Sequence, residues 1–279
     1  MFHTDSSNSR NAQTPIFRSD AALVFAGHAR GSVFAAYNDA VHAGSPANAT
    51  NYSGYMADGG GFETPSGLLR DFTTGVYSTI TASLSGSNIS GSISAAPSSG
   101  TDAYDVFNGK VNLGDWSTSY NSSSVGWYYE VTFTGLDPTK SYEFVTTANR
   151  NNVAYVGDGS ASRWTKFSII GADIFTNAST AGVVEISADV VRFNTGYNTL
   201  NGYVARWTGI TAADGSFTVR SENVGVGGPG EPIKSYGMEG FMLAETMSTA
   251  AIPEPASVLV WGLITVAGMV VSVSCRKSR

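Results

Sequence analysis

The chain has 279 residues, a formal net charge of −6 and only 14% charged residues. Residues 1–250 hold thirteen Lys/Arg against twenty-one Asp/Glu, a net of −8; residues 251–279 hold three against one, +2. Scattered cations on an acidic body form no phosphate-neutralising stripe, so a nucleic-acid partner is not expected.

The first segment, residues 1–20, is polar and lacks the basic, apolar and small-residue order of an export leader; it is expected to be disordered. Ala21–Gly27 is a short apolar run, expected as the first strand of a body spanning 21–250. Val33 to Val41 could hold a helical turn. Val76–Leu84 and Ile89–Ala95 are Thr/Ser-rich strand candidates.

Beyond residue 120 the period is two. Trp127, Tyr129, Val131 and Phe133 alternate with polar or amphipathic neighbours, which places one face in a core. Tyr142 and Phe144 begin another strand. Val184, Ile186, Ala188 and Val190 alternate with Glu185, Ser187 and Asp189, and a change of phase at Val191 suggests a bulge. Tyr203, Ala205 and Trp207 form a further face. Phe217 and Val219 follow the hairpin-type turn signal Asp214-Gly215, and Phe241 and Leu243 belong to a last strand. Many strands with Gly, Asn and Ser turns imply an all-β fold: an antiparallel, jelly-roll-like β-sandwich. A split into two smaller sandwiches near Pro97–Gly100 is the alternative.

Two resemblances bear on architecture alone. Gly135-Leu136-Asp137-Pro138-Thr139-Lys140-Ser141-Tyr142 resembles the corner before the sixth strand of fibronectin type III domains. The resemblance implies a tyrosine hydroxyl, here that of Tyr142, that ties the corner to upstream backbone. Gly202–Trp207, Asp214–Val219 and Gly240–Glu245 are similar to the closing strands of galactose-binding-like modules, with no binding residue carried over.

Chemistry is sparse. There are three histidines, His3, His28 and His42, at no metal-binding spacing. No nucleophile elbow or phosphate loop occurs. Glu130 and Glu143 flank the Leu136–Pro138 corner and could approach each other, as two carboxylates must for glycoside hydrolysis; a solvated face is the simpler fate. Trp116, Tyr120 and Tyr128 near Gly/Ser-rich loops suit stacking on sugar faces, and Asn149 and Arg150 would supply hydrogen bonds. Trp127, Trp164 and Trp207 are expected in the core. Asp102, Asp105 and Asp158 could hold a structural calcium ion; no other cofactor or metal is implied.

The tail is the sharpest signal. Pro253-Glu254-Pro255 precedes an uncharged run from Ala256 to Cys275, 20 residues, and then Arg276-Lys277-Ser278-Arg279. At helical rise this run spans roughly 30 Å, the thickness of a hydrocarbon core. The prolines separate it from the body, and the basic cluster marks its cytoplasmic side. Cys275, the only cysteine, sits at that boundary, so no intramolecular disulfide forms. The order Pro-Glu-Pro, one apolar helix and a terminal Arg/Lys cluster resembles the PEP-CTERM sorting signal of exported proteins of Gram-negative bacteria. The resemblance implies an exosortase-type transpeptidase as partner, a membrane anchor with the body outside the cytoplasm until processing, and a link to extracellular polysaccharide or biofilm matrix. The expected function is a non-catalytic, matrix- or polysaccharide-associated surface protein; a polysaccharide hydrolase and a purely structural surface protein are the alternatives.

The uncharged run sets an expected outcome. The full-length chain fractionates with membranes, and deletion of residues 252–279 releases it; recovery of the intact chain without detergent in the soluble fraction would count against the anchor.

Overall fold

The computed structural model describes residues 34–39, 56–57, 61–62, 66–87, 89–114, 116–120 and 126–246. The sorting-signal residues Pro253, Glu254, Pro255, Arg276, Lys277 and Arg279 therefore lie outside the described residues, as do 1–20, the Ala21–Gly27 strand candidate, all three histidines and the 256–275 run. Among the described residues no helix is long and apolar enough to cross a membrane.

The strands in chain order are β1 (Ala35–Asp39), β2 (Met56–Ala57), β3 (Gly61–Phe62), β4 (Ser66–Arg70), β5 (Tyr77–Ser87), β6 (Ile89–Ile93), β7 (Trp116–Tyr120), β8 (Tyr128–Thr134) and β9 (Ser141–Thr147). They continue with β10 (Trp164–Ile170), β11 (Ile174–Asn177), β12 (Val184–Ser187), β13 (Val190–Asn194), β14 (Ala205–Thr211), β15 (Ser216–Asn223) and β16 (Gly240–Thr246). One helix, α1, covers Asp102–Phe107.

Two antiparallel sheets form a β-sandwich. One has the order β12-β13-β10-β15-β8-β5-β4, the other β1-β16-β9-β14-β11; β2-β3 and β6-β7 are separate two-stranded pairs. From β8 onward the pairing is nested: β8 lies beside β15, β9 beside β14, and β10 beside β13. Because β5 pairs with β8, the chain before Pro97 and the chain after Gly100 share one sheet, and the two-sandwich alternative does not hold.

Alternation builds the core. Tyr129, Val131 and Phe133 of β8, Phe167 and Ile169 of β10, and Phe217 and Val219 of β15 point inward from the larger sheet. Phe144 of β9, Trp207 of β14, and Phe241 and Leu243 of β16 meet them from the smaller one. Phe133 packs edge-on against Phe144 and Phe241, with centroids 5.8 and 5.4 Å away. Full burial of such a ring contributes roughly 1.5–3 kcal/mol. The smaller sheet is covered on its other face as well. Ala103 and Phe107 of α1, with Val111 and Leu113 after it, pack on Tyr37, Val145, Val204 and Met242. Both faces of β9 are consequently buried along Phe144–Thr147.

Four local expectations are corrected. Val33–Val41 does not hold a helical turn: Ala35–Asp39 is strand β1, paired with β16. The phase change near Val190 follows a tight turn at Ala188-Asp189 between two strands, and the irregularity lies in their pairing, whose register shifts between Glu185 and Ser187. Every residue of β12 is exposed, Ile186 at 51%, because β12 is a sheet edge that overhangs the core. Asp214-Gly215 makes a turn, closed by Gly215 N–H donating to Ala212 O, but it carries the chain from one sheet to the other instead of closing a hairpin.

The corner at 135–142 has the expected tie. Tyr142 is buried, and its hydroxyl accepts a hydrogen bond from Asp137 N at 2.9 Å. Burial pushes the phenol pKa up, opposed by the Asp137 N–H. Gly135 turns at φ 75°, and a Cβ there would sit 2.5 Å from Thr79 O, so only glycine fits.

Tyr142→Phe removes this hydrogen bond and keeps the ring. The expected cost is about 0.5–1.5 kcal/mol, read as a lower denaturation midpoint at unchanged m-value; an unchanged midpoint would show that the tie contributes nothing.

Candidate functional site

The two ends of the sandwich differ. At one end the strands are joined by short turns, 135–140, 171–173, 188–189 and 212–215. At the other end the connections are 148–163, 178–183, 195–204 and 224–239, most of them longer. Long connections on a rigid scaffold are where binding residues concentrate.

These loops are tied to one another by hydrogen bonds. Arg150 N and Asn152 N donate to Thr195 O and Gly196 O, and Thr195 N and Gly196 N donate back to Arg163 O, all within 2.8–3.0 Å. Asn149 is the hub. Its Oδ1 accepts from Asn151 N at 3.0 Å and Asn198 N at 2.9 Å, and its Nδ2 donates to Ala95 O and Thr199 Oγ1 at 2.9 Å. Its backbone N–H donates to the carboxylate of the buried Glu239. Asn198 repeats the pattern: its Nδ2 donates to Ala148 O and Tyr203 O, and its Oδ1 accepts from Tyr203 N. Loop backbone that is buried must find such partners.

Between the 155–164 and 194–203 segments lies a groove of about 420 Å³, within the range of roughly 300–1,000 Å³ usual for small-ligand sites. Half-buried Trp164, Tyr197 and Tyr203 line it, with exposed Asp158, Leu200 and Asn201 at its rim. The rings of Trp164 and Tyr203 and the backbone of Tyr197 are held in place. Trp164 Nε1 donates to Gly157 O at 3.1 Å. Asn194 Nδ2 donates to Tyr155 O and Gly157 O, while its Oδ1 accepts from Gly196 N and Tyr197 N. Tyr203 packs edge-on against the core ring Phe193, centroids 6.1 Å apart. The groove thus joins flat apolar surface to an amide, a carboxylate and two phenol hydroxyls.

The residues singled out from sequence do not form one site. Trp116 and Tyr120 begin and end β7; their side chains lie outside the described residues. Tyr128 is half-buried on the outer face of the larger sheet, with the Arg220 guanidinium 4.5 Å from its ring centroid. Asn149 and Arg150 do lie at the loop end. Asn149, however, is buried and engaged within the protein, which corrects its reading as an exposed hydrogen-bonding group. Arg150 is half-buried.

Glu130 and Glu143 do not approach each other, because β8 and β9 belong to different sheets and both side chains point away from the core. Glu130 accepts from Arg220 Nε at 2.6 Å and Ser85 Oγ at 2.8 Å. Glu143 lies 3.3 Å from Arg206 Nε. Asp102 and Asp105 sit in the first turn of α1, where Asp102 accepts from Thr180 Oγ1, and Asp158 is at the groove. Among the described residues no group of three or more His, Cys, Asp or Glu could hold a metal ion. Trp127 and Trp207 are fully buried as expected, whereas Trp164 is not.

No protein-family model, curated protein or solved structure matches the chain.

Asn149→Ala leaves the Asn151 and Asn198 N–H groups without their acceptor. Asn198 is buried, and its orphaned N–H costs about 1–3 kcal/mol, so thermal unfolding is expected below wild type; a wild-type transition would show that the hub is dispensable.

Proposed function

We propose that this is a non-catalytic surface protein whose loop-end groove binds a glycan. The observation that carries the reading is the groove itself: three aromatic side chains, Trp164 and Tyr203 held by their neighbours, beside Asn201 and Asp158. Ring faces match the apolar faces of sugars, and amides, carboxylates and phenols match their hydroxyls. The nested pairing of β8 with β15, β9 with β14 and β10 with β13 supports a jelly-roll assignment within the sandwich. The Pro-Glu-Pro, apolar run and Arg/Lys order of residues 253–279 supports export, sorting by an exosortase-type enzyme and a membrane anchor.

Catalysis is the less favoured reading. Hydrolysis of a glycosidic bond uses two carboxylates flanking that bond. Glu130 and Glu143 lie on outward faces of different sheets, each beside an arginine. The groove is lined by one carboxylate, that of Asp158.

The full chain in a zwitterionic detergent is expected to be retained on at least one polysaccharide of a neutral and acidic panel, with no reducing sugar released. Trp164→Ala should weaken retention by about tenfold, equal to roughly 1.4 kcal/mol, and Asn201→Ala, at an exposed position, should weaken it with an unchanged unfolding temperature. Reducing sugar released by wild type but not by Glu130→Gln would move the protein to the hydrolases. No retention on any polymer would leave the purely structural role.

A further inference from the structure

The groove's charge selects among glycans. Its lining includes the exposed carboxylate of Asp158 and no lysine or arginine. The nearby cation, Arg163, is committed elsewhere. Its guanidinium lies 4.4 Å from the centroid of the Tyr155 ring, and its Nη1 donates to Ala161 O at 2.7 Å. Arg150, at the same end, has a half-buried side chain and is not part of the lining. A polyanion entering the groove would meet a like charge at Asp158 with no cation to pair it, on a body of net charge −8 over residues 1–250. A neutral sugar meets no such penalty. Its hydroxyls donate to the carboxylate in charge-assisted hydrogen bonds, the stronger kind, while Trp164, Tyr197 and Tyr203 take its apolar faces. Burial of uncharged surface also makes this contact insensitive to salt.

Resting on the glycan reading above, we infer that the groove takes a neutral polysaccharide, with Asp158 as the hydroxyl acceptor, and discriminates against uronate- or sulfate-bearing chains. Both halves of that specificity lie in one residue. Asp158→Ala removes the acceptor; Asp158→Lys also reverses the charge that repels anions.

The test is gel retardation of the full chain, in zwitterionic detergent, through an unbranched neutral glucan, a neutral galactan and a polyuronate, each at low and high salt. The expected result is retardation by at least one neutral polymer, equal at both salts, and none by the polyuronate. Asp158→Ala should weaken neutral retardation by about tenfold, the equivalent of losing one charge-assisted hydrogen bond. Asp158→Lys should lose it similarly and gain salt-sensitive retardation by the polyuronate. Wild-type retardation by the polyuronate would overturn neutral specificity while leaving glycan binding intact. Neutral retardation that is lost in Trp164→Ala but unchanged in Asp158→Ala would overturn the role of Asp158. Retardation by no polymer would overturn the glycan reading of the groove and this inference with it.

Discussion

The contact on which the structure depends is the meeting of Phe133 with Phe144 and Phe241 across the sandwich. Phe133 also lies 5.2 Å from Phe217 in its own sheet. A sheet with one apolar face is unstable until that face is covered, and here each sheet covers the other. Aromatic rings suit the task because edge-on and tilted packing fills the gap between sheets and fixes their separation. The register of β8 and β15 follows, since a slip by one residue would turn Phe133 and Phe217 to the outer face of the larger sheet.

The smaller sheet has a second cover, and this explains an otherwise odd helix. A six-residue helix has little stability of its own. α1 persists because Thr101 caps it by accepting from Tyr104 N, and because Ala103 and Phe107 face Tyr37, Val145 and Met242. The loop end is anchored to it: Ala103 N donates to Gly202 O, and Gly202 lies against Thr101 with no room for a Cβ. The groove's tyrosines, Tyr197 and Tyr203, therefore stand on a loop held from both sides, by α1 and by the Asn149 hub.

Much of the sandwich was legible from alternation alone. Tyr129, Val131, Phe133, Phe144, Trp207, Phe217, Val219, Phe241 and Leu243 all face inward as their spacing implied, because a period of two needs no knowledge of the partner strand. The Tyr142 tie was legible too, from a local motif whose geometry is short-range. The failures have physical causes. Val184–Val190 kept its alternation through a turn that has no glycine, so two strands looked like one. α1 is too short to display a helical period, although Thr101 followed by Asp102 and Asp105 was a usable start signal. Asn149 in a run of asparagines looked like a ligand contact; its burial results from loop N–H groups that need an acceptor. The groove itself depends on β10 pairing with β13, which brings Trp164 beside Asn194, and a contact between residues that far apart in sequence has no local signature. Tyr197, Leu200, Asn201 and Tyr203 were a readable cluster, but nothing in their spacing pointed at Trp164.

The direction of the final strand has a geometric consequence. β16 starts at the loop end and runs to the short-turn end, where Thr246 closes it. The chain therefore leaves for its C-terminal tail from the pole opposite the groove. Seven residues of extended strand separate the two poles by roughly 20 Å. Under the anchor proposed above, a surface that held the tail would lie toward the pole opposite the groove. The proposed capture and the proposed tethering would then use opposite ends of the sandwich, so that cleavage in the tail would move the groove without touching the loops that form it.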